Sequence, residues 1–92
     1  MRVVFRQHAI RRMFERAISV DEVKAALESG HAVEQYADDV PYPSCLWLGY
    51  AGDRPLHVVY ADNQAAGERI IITVYQPDPA QWESDFAKRK KP

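Results

Sequence analysis

The hydrophobic period of this chain changes at Gly30, and that change constrains the fold more than any other feature. Before Gly30, apolar residues recur at helical spacing. Ala9, Ile10, Met13, Phe14 and Ala17 share one face of a helix starting near Gln7, the i, i+3, i+4, i+7 pattern of a core-facing element. Ser19-Val20-Asp21-Glu22 then reads as a capping box. The Ser19 hydroxyl can accept from the Glu22 backbone N–H, and the Glu22 carboxylate can reach back to Ser19. Val20, Val23 and Leu27 line one face of this second helix. Ser29-Gly30 ends it, with Gly30 free to take the left-handed backbone that a helix C-terminus favours.

After Gly30 the chain breaks into short strand-like runs. Residues 31–36, 44–50 (SCLWLGY), 55–61 (PLHVVYA) and 69–75 (RIIITVY) are rich in β-branched and aromatic side chains. Between them lie turn signals: Asp38-Asp39 with Pro41 and Pro43, then Gly52-Asp53, then the polar stretch 62–67. Strands joined by short turns read as an antiparallel meander. Residues 2–5 (RVVF) fit either a short strand or a lead-in. Pro77-Asp78-Pro79 breaks the last strand. Residues 80–87 can then form a short helix, capped by Asp78, with Trp82 and Phe86 packed inward at i, i+4. The expected fold class is therefore α+β. Two N-terminal helices pack on a mainly antiparallel four-stranded sheet, with a short C-terminal helix.

Ninety-two residues, 47% hydrophobic and 27% charged, are expected to form a single soluble domain over 1–92, with a basic tail at 88–92. No apolar run approaches the roughly 20 residues of a membrane helix. The opening MRVVFRQH lacks the apolar stretch of a signal peptide, so a cytoplasmic location is the expectation. His8, His31, His57 and Cys45 show no metal-ligand spacing and no Gly-rich phosphate loop is present, so neither metal nor other cofactor is expected. Cys45, the single cysteine, opens an apolar strand and reads as an inert core thiol.

The net charge of −1 conceals a pattern. Residues 1–18 hold five arginines against Glu15 alone, a balance of +4. Residues 19–87 set twelve acids against Lys24, Arg54 and Arg69, a balance of −9, and the last five residues return +4. If the two basic ends meet in the fold, they form a positive patch able to draw in a phosphate backbone. A lysine-rich end is otherwise an ordinary solubilising tail.

The segments HAIRRMFERAIS (8–19), PYPS (41–44), RPLHVV (54–59) and IITVYQPD (71–78) followed by Trp82 together resemble the bacterial family catalogued as domain of unknown function 4258. Related chains usually carry Gly where this one has Ala17. The resemblance implies a compact layout like that of RelE-type and BrnT-type toxins of toxin–antitoxin pairs. It also implies a small zinc-finger-type antitoxin as neighbour and partner, and RNA as the target. On this analogy the chain is a metal-independent endoribonuclease. The alternative is a non-catalytic RNA- or protein-binding module.

Metal-free RNA cleavage needs a base for the 2′-hydroxyl, a cation at the phosphate and an acid for the leaving oxygen. His8, Arg12 and Arg16 advance about 40° per step and form a stripe bordering the apolar face of the first helix. They are candidates to hold a phosphate, or else surface residues that pair with acids. His57 sits mid-strand, on the face opposite Leu56 and Val58. It is a second acid or base, or a half-buried residue satisfied by a neighbour. Tyr75 ends the last strand and can donate a proton or stack, or simply fill a cross-strand contact. The catalytic set drawn from these readings is His8, Arg12, Arg16, His57 and Tyr75.

Overall fold

The computed structural model describes residues 1–91. It contains β1 (Arg2–Phe5), α1 (Gln7–Glu15), α2 (Val20–Leu27), β2 (His31–Tyr36), β3 (Ser44–Ala51), β4 (Arg54–Asn63) and β5 (Glu68–Tyr75).

The two helices follow their local chemistry. Ser19 accepts from the Glu22 backbone N–H at 3.1 Å, and the Glu22 carboxylate accepts from the Ser19 N–H at 2.9 Å, completing the capping box of α2. α1 ends in a paired motif. The Ile18 N–H donates to the Met13 carbonyl at 2.9 Å and the Ala17 N–H to the Phe14 carbonyl at 3.2 Å. Ala17 takes φ +54° to make this turn, the conformation that glycine supplies without a Cβ penalty. Gly30, at φ +86°, turns the chain from α2 into β2.

The sheet corrects the expected architecture. It has five strands in the order β1-β5-β4-β3-β2, and it is mixed rather than four-stranded. β2, β3, β4 and β5 pair antiparallel, while β1 lies parallel to β5, with Phe5 opposite Ile71. A parallel pair needs a long crossover. The chain between β1 and β5 holds every other element of the fold. Pairing across that separation leaves no local trace in RVVF.

The short C-terminal helix is also absent. Asp78 does start a turn as a cap would, accepting from the Ala80 N–H at 2.8 Å on its side chain and from the Trp82 N–H at 3.0 Å on its carbonyl. The chain then folds back instead. Trp82 bridges Arg89 antiparallel, and Phe86 sits at φ +56°, outside the helical region. A helix of eight residues has little stability of its own. Burial of Trp82, 3% exposed, decides the path.

The core lies between the helices and one sheet face. Ala9, Met13, Ile18, Val23 and Ala26 meet Cys45, Leu56, Val58, Ile71 and Val74. α2 sits close enough to β3 that a Cβ on Gly49 would lie 1.8 Å from the Ala26 carbonyl oxygen. The Trp47 indole N–H donates to the carbonyls of Ala26 and Ser29, both at 2.9 Å, and ties the same helix to the same strand. The expected apolar face of α1 is only partly buried. Ala9 and Met13 are inside, whereas Ile10, Phe14 and Ala17 are exposed. A nine-residue helix laid over β5 offers the sheet a narrow strip, and its flanks stay in water.

Candidate functional site

The open edge of β5 gathers most of the chemistry. β1 stops opposite Ile71, so residues 72–75 have no strand beside them on that side. The C-cap residue of α1, Arg16, covers this edge. Its Nη1 donates to the Val74 carbonyl at 2.8 Å and approaches Thr73 Oγ1 at 3.4 Å. Arg54, at the start of β4, locks the loop that carries Arg16. It donates to the carbonyls of Arg16 (3.2 Å) and Ala17 (2.9 Å), to the Glu22 carboxylate (3.1 Å) and to Gln76 Oε1 (3.0 Å). The Arg16 guanidinium is thus placed by backbone rather than by a carboxylate.

Thr73 and Tyr75 alternate with buried Val74, so they face away from the helices. His57 pairs with Tyr75 across the strands and shares that face. The segment 78–91 covers it. The His57 ring meets Trp82 edge-on at 4.5 Å and Tyr75 at 5.3 Å. His57 has no exposed surface. Its Nε2 lies 2.8 Å from the Phe86 carbonyl, which can only accept, so Nε2 carries the proton. Burial lowers the His57 pKa below 6.5, and the nearby charge of Arg89 lowers it further, against the pull of the Phe86 carbonyl. The ring is therefore neutral at pH 7. Nδ1 is a bare acceptor, and the Tyr75 hydroxyl, 3.2 Å away, donates to it.

Tyr75 has a residue of each basic end in its surroundings: Arg16, on the adjacent Val74 carbonyl, and Arg89, over Trp82. Burial raises its pKa above 10, while Arg89 from the tail and Arg16 from α1 both favour its charged form; Glu34 opposes them. Arg89 also stacks over Trp82, 4.5 Å from the ring centroid. Of the five residues singled out from sequence, Arg16, Tyr75 and His57 come together here. His8 and Arg12 do not. His8 is exposed on α1, and His57 faces the other way across the sheet. Arg12 lies one turn from Arg16, with Glu15 at 3.8 Å.

Sequence reasoning missed Arg54 and Arg89. One opens β4 directly after a tight turn and the other lies in a basic tail, and neither position has a periodicity that marks it. It also missed the concavity at the opposite end of the sheet. A cavity of about 580 Å³ is lined by Gln35, Tyr42, Ser44, Cys45, Tyr60 and Asp62 among others. Burial, together with a hydrogen bond to Cys45, pushes the Tyr60 phenol up to about 12. Asp62 accepts twice from Arg69, at 2.9 and 3.0 Å, and Arg69 lies 4.1 Å over the Tyr60 ring. The charges there satisfy one another, so that cavity has little pull on an anion. Among the described residues, no group of three His, Cys, Asp or Glu side chains is placed to hold a metal. No helix among them is long and apolar enough to cross a membrane.

No curated protein and no solved structure matches the chain. Residues 5–76 match the family described as Domain of unknown function (DUF4258). That span carries Arg16, Arg54, His57 and Tyr75, covers most of the chain and assigns it to the DUF4258 family.

Proposed function

We propose that this protein is a toxin-like RNA-binding protein that grips the sugar–phosphate backbone, without a metal, at the open edge of β5. What supports this is the pair of cations in the surroundings of Tyr75: Arg16 bound to the carbonyl of adjacent Val74, and Arg89 stacked over Trp82, which packs on the same His57 ring as Tyr75. Arg16 spends one donor on Val74 and has others left for a phosphate. Arg12 extends the row by about 6 Å. The phenol can donate to a phosphate oxygen or a 2′-hydroxyl when it turns from His57.

Cleavage is the stronger form of this reading, and the geometry favours it less. His57 is sealed, neutral and hard to protonate, and burial disfavours the Tyr75 phenolate. The pair is therefore a poor base. His8, the exposed ring on α1, stands about 12 Å along the helix from Arg16. A general base must come within about 3 Å of its proton, so the two cannot readily serve one phosphate.

Fluorescence anisotropy with a short single-stranded RNA tests the reading, with DNA of the same sequence as comparison. Affinity is expected to fall steeply between about 50 and 200 mM salt as counterions are released. Arg16→Ala is expected to weaken it by about tenfold, with no RNA fragment formed. Absence of binding at low salt refutes the assignment. Fragments ending in a cyclic phosphate, lost in Tyr75→Phe, replace it with the ribonuclease reading.

A further inference from the structure

The outer flank of α1 carries two apolar side chains with nothing over them. Phe14 is 87% exposed and Ile10 42%. They stand four residues apart, one turn above the other on a single face. Single exposed apolar residues are commonplace on a small protein. A stacked Ile–Phe pair on a helix anchored from behind by Ala9 and Met13 is a preformed contact strip. It lies on the flank away from Arg16, and so is separate from the RNA edge proposed above.

Cations frame this strip. Arg6 precedes Ile10 by one turn, in line with the pair, and Arg11 lies in the neighbouring row beside Gln7 and Glu15. Among the described residues neither Arg6 nor Arg11 forms an ion pair, whereas Arg2 pairs with Glu68 and Arg12 with Glu15. A second copy packed on this strip would bring two Arg6 and two Arg11 together with only Glu15 to offset them. That juxtaposition of like charges is unfavourable. Phe14 alone offers a face for a base to stack on, and aliphatic Ile10 beside it suits an apolar protein side chain better than a second base.

We infer that the Ile10–Phe14 strip of α1 is a docking surface for an acidic amphipathic helix of another protein. The partner would present Leu or Ile at i, i+3, i+4 spacing to Phe14 and Ile10, with flanking carboxylates reaching Arg6 and Arg11. The inference stands independently of the RNA reading, because it uses other residues on another flank.

The probe is a synthetic peptide of about 16 residues with leucines at helical spacing and glutamates at the flanks. It is titrated into the full isotope-labelled chain and followed by NMR, with anisotropy for affinity. Shifts are expected to centre on Arg6, Ile10, Arg11 and Phe14. Phe14→Ser is expected to weaken binding at least tenfold, the size of a contact hot spot. Its thermal stability should match the parent because the side chain is exposed. Binding is also expected to weaken with salt. A peptide with lysines in place of the glutamates should not bind. The inference is overturned by no binding, by equal binding to Phe14→Ser, or by equal binding of the lysine peptide. It is also overturned if the chain sediments as a dimer that Phe14→Ser dissolves, or if Phe14→Ser costs as much RNA affinity as peptide affinity.

Discussion

Replacing His57 by phenylalanine is expected to lower stability and to remove a pH dependence at the same time. The ring is fully buried, and Phe retains its shape against Trp82. The loss falls on two hydrogen bonds. The Phe86 carbonyl loses its donor at 2.8 Å, and an unsatisfied, partly buried carbonyl costs about 1–3 kcal/mol. The half-buried Tyr75 hydroxyl can turn to water and loses less. Desolvation of the imidazole no longer has to be overcome, which returns part of the loss. A net destabilisation of about 1–2 kcal/mol follows, and for a domain of this size each kcal/mol shifts Tm by roughly 4–8 °C.

The pH dependence has a definite sign. Burial holds the folded pKa of His57 below 6.5, while the unfolded chain takes up its proton near that value. Between the two values the unfolded state binds more protons, so folding is weakened as pH falls. The stabilising contribution is complete above about pH 6.5 and is lost below it, by at most about 1.4 kcal/mol per pH unit for one proton. Thermal melts by circular dichroism from pH 8 to 5 separate the chains. The parent should lose stability towards pH 5, and His57→Phe should be flatter. An equal slope in both, or no slope in the parent, refutes the sealed neutral imidazole.

Ala17→Gly should stabilise slightly, by about 0.5 kcal/mol. Relief of a left-handed alanine, about 1–2 kcal/mol, is offset by the greater freedom of glycine in the unfolded chain, about 0.4–1 kcal/mol. Chemical denaturation should show a higher midpoint, and a lower one contradicts the φ of +54°. Gly49→Ala should cost more than about 3 kcal/mol, because its methyl would meet the Ala26 carbonyl oxygen at 1.8 Å. Loss of cooperative unfolding or of soluble protein is the expected readout. Arg54→Met removes donors from Arg16, Ala17, Glu22 and Gln76 and should cost about 1–2 kcal/mol in urea unfolding, since water can reach the half-buried cluster. Glu22 has its pKa lowered first by the Ser19 backbone N–H and then by Arg54, so its contribution holds above about pH 4.5 and fades as pH falls through the lowered value. Arg54→Met should reduce that acid loss without abolishing it.

What was legible in the sequence shares one trait: the cause lies within a few residues. The Ser19–Glu22 box spans one turn, the left-handed Gly30 is a single backbone choice, and strand alternation alone sets His57 opposite Leu56 and Val58. The wheel of α1 was legible as a pattern but not as burial. It could not say how wide a strip the sheet would cover, so Ile10 and Phe14 stand outside. The candidate site was half visible. Arg16, His57 and Tyr75 are chemically conspicuous residues, while Arg54 and Arg89 become significant only through where they land.

The chain by itself therefore determined α1, α2 and the approximate extents of β2 to β5, because capping, turn chemistry and side-chain alternation act over a few bonds. Tertiary structure decided the rest. It set β1 beside β5, turned residues 80–87 into a covering strap, and sealed His57 away from His8. The physical reason is that these outcomes depend on pairing and burial between segments far apart in sequence. The gain from hiding Trp82 or joining Phe5 to Ile71 appears only once the sheet exists to receive them.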